Sequence, residues 1–542
     1  MLLPPAATYE ELVAKFSWSI PGRFNIGLAC ADSWAAREPG RVALIACDAA
    51  GKMTTTTYGE LKALSDRLAH ALRARGIDRG DRVALLLPQS VEAAVGHLAA
   101  YKLGAIAVPL AALFGSDALR YRLATSGARA IITDADGWAK VAAIRADLTD
   151  LTVALCTEGP AAGAEGWREA LEPYGAPFTA ADTEPDDPAL MIFTSGTTGP
   201  PKGALHGHRV LIGHLPGLAY SHEFLPQPGD RMWTPSDWAW AGGLLNALLP
   251  SLYYGLPVVF GPFARFDPES AARLIVKAGV RNAFLPPTAL RMMRAVKHIP
   301  PLGLRTIGSA GESLGRETYE WALAALGITV NEFYGQTECN YVLGSSAALG
   351  ITKAGAIGKP IPGHDAMVID ANGARAAPEA LGEIAIRRSD PSMFLEYWRD
   401  PEATAAKFRG DWMLTGDLAI TDSDGYVRFV GRNDDIITSS GYRIGPSEIE
   451  DCLATHPAVA LAAAVGKPDV LRTEIVKAFV VLKPGVNPSA ELAEEIRLFV
   501  RARLSAAEYP REIAFVDEIP LTTSGKVIRR GFRDEARRET KG

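Results

Sequence analysis

Residues 190–203 read LMIFTSGTTGPPKG, a short apolar run that opens into hydroxyls and glycines. Residues 190–193 are long enough for a buried strand and too short for a helix. Thr194, Ser195, Gly196, Thr197, Thr198 and Gly199 follow. Glycines there let backbone N–H groups approach a polyphosphate closely, the hydroxyls add donors, and Lys202 adds a point charge. Polar residues 206–209 lead into an apolar segment that can be helical, so the layout is strand, phosphate loop, helix. It is not a Walker loop, which needs Gly-Lys-Ser/Thr, because Lys202 stands between Pro201 and Gly203. A glycine-rich turn alone is ordinarily just a turn, so the reading needs chemistry elsewhere in the chain.

That chemistry recurs in order. Tyr334-Gly335-Gln336-Thr337-Glu338 offers a hydroxyl and a carboxylate, and Thr415-Gly416-Asp417 a second carboxylate. Gly431-Arg432-Asn433-Asp434-Asp435, Ser440-Gly441-Tyr442-Arg443 and residues 520–526 (PLTTSGK, ending at Lys526) complete the series. Taken singly, each has a bland reading: Glu338 as a solvated acid, Asp417 as a turn residue, Lys526 as a surface charge. Together, over nearly the whole chain, the motifs resemble those of the adenylate-forming (ANL) superfamily of acyl-CoA synthetases, luciferases and peptide-synthetase adenylation domains. Within it they resemble the branch of medium-chain and acetyl-CoA synthetases.

The resemblance implies an AMP-forming acid–thiol ligase that uses ATP, Mg2+ and coenzyme A. A carboxylate does not react with a thiol at neutral pH, because its leaving group is oxide. Attack on the α-phosphate of ATP replaces oxide with AMP, and the transition state gathers negative charge at phosphorus, where cations and N–H donors are needed. By the match, Thr194 to Lys202 hold the outer phosphates, Thr337 donates to the α-phosphate, and Glu338 ligates Mg2+, a hard cation suited to carboxylate oxygen. Gly311, Glu312, Tyr334 and Gln336 fall along the adenine side. Asp417 and Arg432 fall at the ribose, and Arg443 near phosphate. Lys526 bridges carboxylate and α-phosphate, and its acetylation by a lysine acetyltransferase, reversed by a deacetylase, is a regulatory expectation. Asp434 matches a hinge about which a small C-terminal domain turns, so that Ser440, Gly441 and Tyr442 line a pantetheine tunnel. Arg472, Lys477 and Arg511 are basic candidates for the CoA nucleotide, with surface solubility an equal alternative.

For the acid, relatives that use acetate carry Trp where this chain has Gly335. The expectation is that losing an indole opens the acyl pocket and disfavours acetate. Trp238, Trp240, Gly243 and Leu244 fall on the other walls, which are apolar and without a nearby cation. An apolar acid of roughly C4–C10, or an aryl one, is expected. Alternatives are a stand-alone enzyme loading a carrier protein, and a non-catalytic binding protein on the same scaffold. His206, His208, His214 and His222 lack metal-site spacing and are expected as polar surface or loop residues.

Positioning such residues takes a large scaffold. At 542 residues the chain exceeds one core, and 48% hydrophobic with 22% charged residues is a soluble globular composition. A net charge of −6 without a large basic block argues against nucleic acid. Five scattered cysteines without a CxxC pair fit a reducing cytoplasm. Residues 238–264 carry no charge until Arg265, but Gly and Pro interrupt them. They read as a buried helix near 243–252, a turn at 254–255 and a strand at 257–260, with a membrane span as the alternative. Strands alternating with helices before and after the phosphate loop imply a parallel-rich α/β sheet system. Residues 150–187 read as an acidic surface excursion. A β-rich subdomain follows residue 381, and the domains are set at 1–433 and 434–542.

Overall fold

The computed structural model describes residues 2–194, 200–261, 266–432, 435–439, 442–469, 472–504, 509–522 and 527–540. Ser195, Gly196, Thr197, Thr198, Gly199, Asp434, Ser440, Gly441 and Lys526 lie outside them. Two compact units form, one of residues 1–354, 358–365 and 387–411, the other of 355–357, 366–386 and 412–542. The boundary expected at 434 falls within the second unit.

Among the described residues the first unit holds two sheets. One runs, in spatial order, Glu396–Tyr397, Gly203–Gly207, Pro188–Phe193, Ile106–Pro109, Arg82–Leu86, Ala130–Thr133, Val153–Cys156 and Glu165–Gly166. Its strands from Pro188–Phe193 onward pair in parallel. Local signals place the covering helices. Thr57 and Glu60 close a capping box on the helix Tyr58–Ala74. Ser90 caps Val91–Leu103, which ends at the left-handed Gly104. The second sheet carries Val330–Tyr334, Thr306–Ser309, Asn282–Phe284 and Met232–Trp233 side by side in parallel, at its centre.

Two expectations are corrected. No helix follows the phosphate loop directly: Gly203–Gly207 is a strand, antiparallel to Pro188–Phe193, and the helix Val210–Ser221 comes after it. Residues 150–187 are not a surface excursion throughout, since Val153–Cys156 joins the sheet and Trp167 and Leu171 are buried in the core. The described part of this run, 238–261, folds as expected: helical turns through Leu249–Tyr254, a left-handed Gly255, and the strand Val258–Phe260. Among the described residues, no helix is long and apolar enough to cross a membrane.

Lys102 is fully buried in this unit. Its Nζ donates to Ser65 Oγ (2.9 Å) and Asp66 Oδ1 (2.7 Å) and pairs with Asp32 Oδ2 (2.6 Å). Lys62 pairs with Asp66 and, at 3.7 Å, with Asp32. Removing one cation strands a buried carboxylate, so Lys102→Met is expected to destabilise the protein by about 3–5 kcal/mol, read as a lowered denaturant midpoint at unchanged slope.

The second unit holds an antiparallel sheet of Ala366–Ile369, Leu381–Arg387, Trp412–Thr421 and Val427–Arg432. A further sheet orders Tyr442–Ile444, Ile437–Ser439, Thr473–Leu482 and Val459–Asp469, with Glu512–Phe515 alongside Thr473–Leu482. Alternation along Thr473–Leu482 buries Val476, Ala478 and Val480 against the helices Pro446–Ala454 and Ala490–Arg503. Phe479 points the other way, onto Phe532 of Arg530–Glu539. This is a small α/β layer covered on both faces.

Candidate active site

The phosphate loop hangs from the hairpin of Pro188–Phe193 and Gly203–Gly207. At its base Thr194 N donates to Lys202 O at 2.8 Å. Beyond it, the strand Glu396–Tyr397 pairs with Ala204 and Leu205. Lys202 Nζ lies 5.2 Å from the centroid of the Tyr397 ring, and the Tyr397 hydroxyl donates to Glu338 Oε1. Phe394 N donates to Glu338 O at 2.8 Å. A cation and a carboxylate far apart in sequence thus meet through one tyrosine, with Glu338 7% exposed rather than solvated.

The loop carrying Glu338 leaves Val330–Tyr334 at its C-terminal end, where ligands of such sheets bind. Cys339 N donates to Gln336 O (3.1 Å), and Lys407 Nζ donates to Gln336 Oε1 (3.0 Å). Gly335 is where the chain packs against itself: a Cβ there would stand 2.3 Å from Tyr341 N and 2.6 Å from Asn340 Cα. A side chain at 335 would therefore start toward the backbone of Asn340 and Tyr341.

The adjacent strand Thr306–Ser309 ends in Ala310, Gly311 and Glu312. Gly311 has φ +102° with open space where a side chain would stand. Glu312 accepts from Thr288 Oγ1 (2.9 and 3.0 Å) and pairs with Arg291, so its carboxylate is engaged within the protein. On the residues expected to wall the acyl pocket, Trp238 is 2% exposed and edge-on to Phe260 at 5.5 Å, and Trp240 meets Phe114 at 5.8 Å. Leu244 is buried, and Gly243 lets its helix touch the Asp237 carbonyl, which a Cβ would approach to 2.3 Å. Burial pushes the Asp237 carboxyl up to about 6, against the pull of its bond from Ala239 N.

His206, His208, His214 and His222 are not surface residues: none is more than 1% exposed. Burial pushes His206 and His222 down to about 3 and His208 and His214 to about 4, which keeps all four neutral near pH 7. His206 lies on the strand Gly203–Gly207, His214 lies within the helix Val210–Ser221 and His222 caps its end, and that helix is buried along its whole length. Gly213 faces the Ser392 backbone and Gly217 the Tyr341 ring.

In the second unit Asp417 lies opposite Arg432 in the antiparallel register, with Arg432 Nε 3.8 Å from Asp417 Oδ1. The turn before them is tied down: Thr415 Oγ1 donates to Ile384 O (2.7 Å), and Gly416, at φ +78°, donates to Glu383 Oε1 (2.8 Å). The two residues expected at a ribose therefore face each other. Tyr442 and Arg443 lie on the strand Tyr442–Ile444. Of the nucleotide candidates, Lys477 is not a surface cation: it is 5% exposed and donates to both Glu539 oxygens at 2.6 Å. Arg472 lies 4.0 Å from Asp469, and Arg511 donates to Tyr509 Oη at 3.2 Å. Sequence motifs missed Tyr397, which arrives by the pairing of Glu396–Tyr397 with Gly203–Gly207, and Lys407, which follows the helix Pro401–Ala406.

The chain was compared with known proteins. Residues 31–398 match the AMP-binding enzyme family, and residues 448–526 match the AMP-binding enzyme C-terminal domain. The acetyl-coenzyme A synthetase of Bacillus subtilis (strain 168) is 35% identical over 544 residues, covering 96% of this chain and 94% of the relative. The mitochondrial acyl-coenzyme A synthetase ACSM3 of Mus musculus is 33% identical, covering 97% and 93%. The crystal structure of the anthranilate CoA ligase AuaEII in complex with anthranoyl-AMP superposes with a TM-score of 0.88 at 27% identity, covering 96% of this chain and 99% of that one. With the ANL fold and matches along both units, the chain belongs to the AMP-binding family as an AMP-forming acyl-CoA synthetase.

Proposed function

We propose that the protein joins an apolar carboxylic acid of short branched, medium-chain or aryl type to coenzyme A. In the first step a carboxylate oxygen attacks the α-phosphorus of ATP, and the bond to pyrophosphate breaks. In the second the CoA thiol, giving up its proton, attacks the acyl carbon, and AMP leaves. The observation that carries this reading is the meeting of Lys202 with Glu338 at the C-terminal strand ends. Lys202 and the Thr194 loop would hold the outer phosphates, Thr337 the α-phosphate, and Asp417 with Arg432 the ribose. Glu338 fits Mg2+: it is an anionic oxygen ligand, and among the described residues no cluster of three or more His, Cys, Asp or Glu is arranged as a metal cage. One carboxylate, with phosphates and waters completing the shell, is the manner in which this ion is usually held. When bound, it would neutralise charge between neighbouring phosphates. Lys526 would supply charge at the reacting centre, and Ser440, Gly441 and Tyr442 the pantetheine path.

The acid class rests on the apolar character of Trp238, Trp240 and Leu244 and on Asp237 in the same loop. A second carboxylate on the substrate would be repelled by Asp237. Relatives named for acetate and for anthranilate support an acid of modest size, aliphatic or aryl. A panel assayed for CoA-dependent AMP release should favour acids of about C4–C10 or benzoate-like ones. Dominance of acetate, palmitate or a dicarboxylate would overturn the assignment, and transfer to a carrier protein but not to free CoA would redirect it.

A further inference from the structure

We propose that Tyr397 is a positioning residue that presents Glu338 to the metal and holds Lys202 beside it. The inference rests on the reading of Glu338 as a metal ligand. Its geometry is independent of that reading.

Tyr397 is fastened on two sides. Its short strand Glu396–Tyr397 is zipped to the strand after the phosphate loop, with Leu395 N donating to Leu205 O and Trp398 N to Gly203 O, both at 2.7 Å. Its own N donates to Thr404 Oγ1 at 2.9 Å. The neighbouring Phe394 ring lies 4.9 Å away, and Phe394 N holds the Glu338 carbonyl at 2.8 Å. The phenol is therefore a fixed strut, 5% exposed, between two loops that must act on one triphosphate.

Each end of the strut has a chemical consequence. The hydroxyl donates to Glu338 Oε1, which restrains the rotamer of that carboxylate through one of its two oxygens. A hydrogen-bonded partner behind a ligating carboxylate typically governs metal affinity about 10–100-fold. The ring face lies 5.2 Å from Lys202 Nζ, within cation–π range. It restrains the ammonium without neutralising it, whereas a carboxylate in the same place would cancel the charge that phosphate needs. Phenylalanine would keep the second function and lose the first, and leucine would lose both.

The test compares wild type, Tyr397→Phe, Tyr397→Leu and Glu338→Gln. Mn2+ stands in for Mg2+, and its affinity for the protein–ATP complex relative to ATP alone is read by electron paramagnetic resonance. ATP affinity in EDTA is read by calorimetry. Tyr397→Phe should weaken metal binding about tenfold or more while metal-free ATP affinity stays at the wild-type value. Tyr397→Leu should lose both. A purely space-filling role would leave metal affinity untouched in Tyr397→Phe, and that result overturns the proposal. If Glu338→Gln also binds metal as wild type does, the metal reading of Glu338 falls first and takes the proposal with it. If only Glu338→Gln fails, the metal reading stands and the role of Tyr397 alone is refuted.

Discussion

Lys526→Ala should lower acyl-adenylate formation about 10²–10³-fold, while thioester formation from supplied acyl-adenylate and CoA proceeds at the wild-type rate. The first step needs positive charge where the acid oxygen meets the α-phosphorus. The second step breaks a bond to a leaving group that is already good, and a thiol brings no charge that an ammonium must offset. Lys526 itself lies outside the described residues, but the base of its loop does not. Leu521 bridges Val527, and Ile528 N donates to Pro520 O at 2.9 Å. Two residues past the bridge, Arg529 pairs with Glu450 and, at 3.3 Å, with Asp435, and Arg533 pairs with Asp435 at 2.8 Å. The tip can therefore lose its side chain without loosening the base, and the melting temperature should not change. Pyrophosphate exchange and a separate acyl-adenylate assay distinguish the two half-reactions, and equal loss in both would remove Lys526 from the adenylation role. Acylation of the same ammonium deletes the same charge, so a fully acetylated protein should reproduce the alanine phenotype.

What could be read from the sequence was what is decided locally. Thr57 with Glu60 and Ser90 mark helix starts because a cap is a contact between residues three apart. The interruptions in 238–264 were legible as a turn for the same reason. The strand Gly203–Gly207 was not: GALHG has little β propensity, and it is a strand because Pro188–Phe193 pairs with it. The four histidines looked polar, and only the assembled core shows them sealed in. Motifs found Lys202 and Glu338 in the first unit and Asp417 and Arg432 in the second, but not the contacts within each pair. Asp417 faces Arg432 through antiparallel register, and Lys202 meets Glu338 through Tyr397. Both are properties of pairing between segments, which no single stretch carries. Glu312 and Lys477 suit a ligand by residue type, and only the fold shows that each is engaged with a partner.

Substitutions at Gly335 should have large effects. If position 335 pointed into the acyl pocket, Gly335→Trp would fill it and shift preference toward acetate, while Gly335→Ala would be nearly silent. The geometry argues otherwise. A Cβ at 335 would lie 2.3 Å from Tyr341 N and 2.8 Å from Asn340 C, all of it backbone. Nor can the far wall yield easily. Tyr341 sits at φ +69° and stacks on Phe333 at 3.9 Å, and Asn340 Nδ2 donates to Asn246 Oδ1 at 2.5 Å. Accommodating one methyl must then move residues 335–341 themselves, the segment that carries Thr337 and Glu338. Overpacking of this kind costs about 1–3 kcal/mol. A displacement near 1 Å at a positioning loop costs about 10²-fold in rate. Gly335→Ala should therefore lower kcat by that order for every acid alike, with the ratio of kcat/KM between hexanoate and acetate unchanged and a lower melting temperature. Gly335→Trp should be worse on all three measures. A Gly335→Trp protein that melts with the wild type and turns over acetate preferentially would restore the pocket reading, because only a side chain directed at the acid can change which acid is chosen while leaving the loop in place.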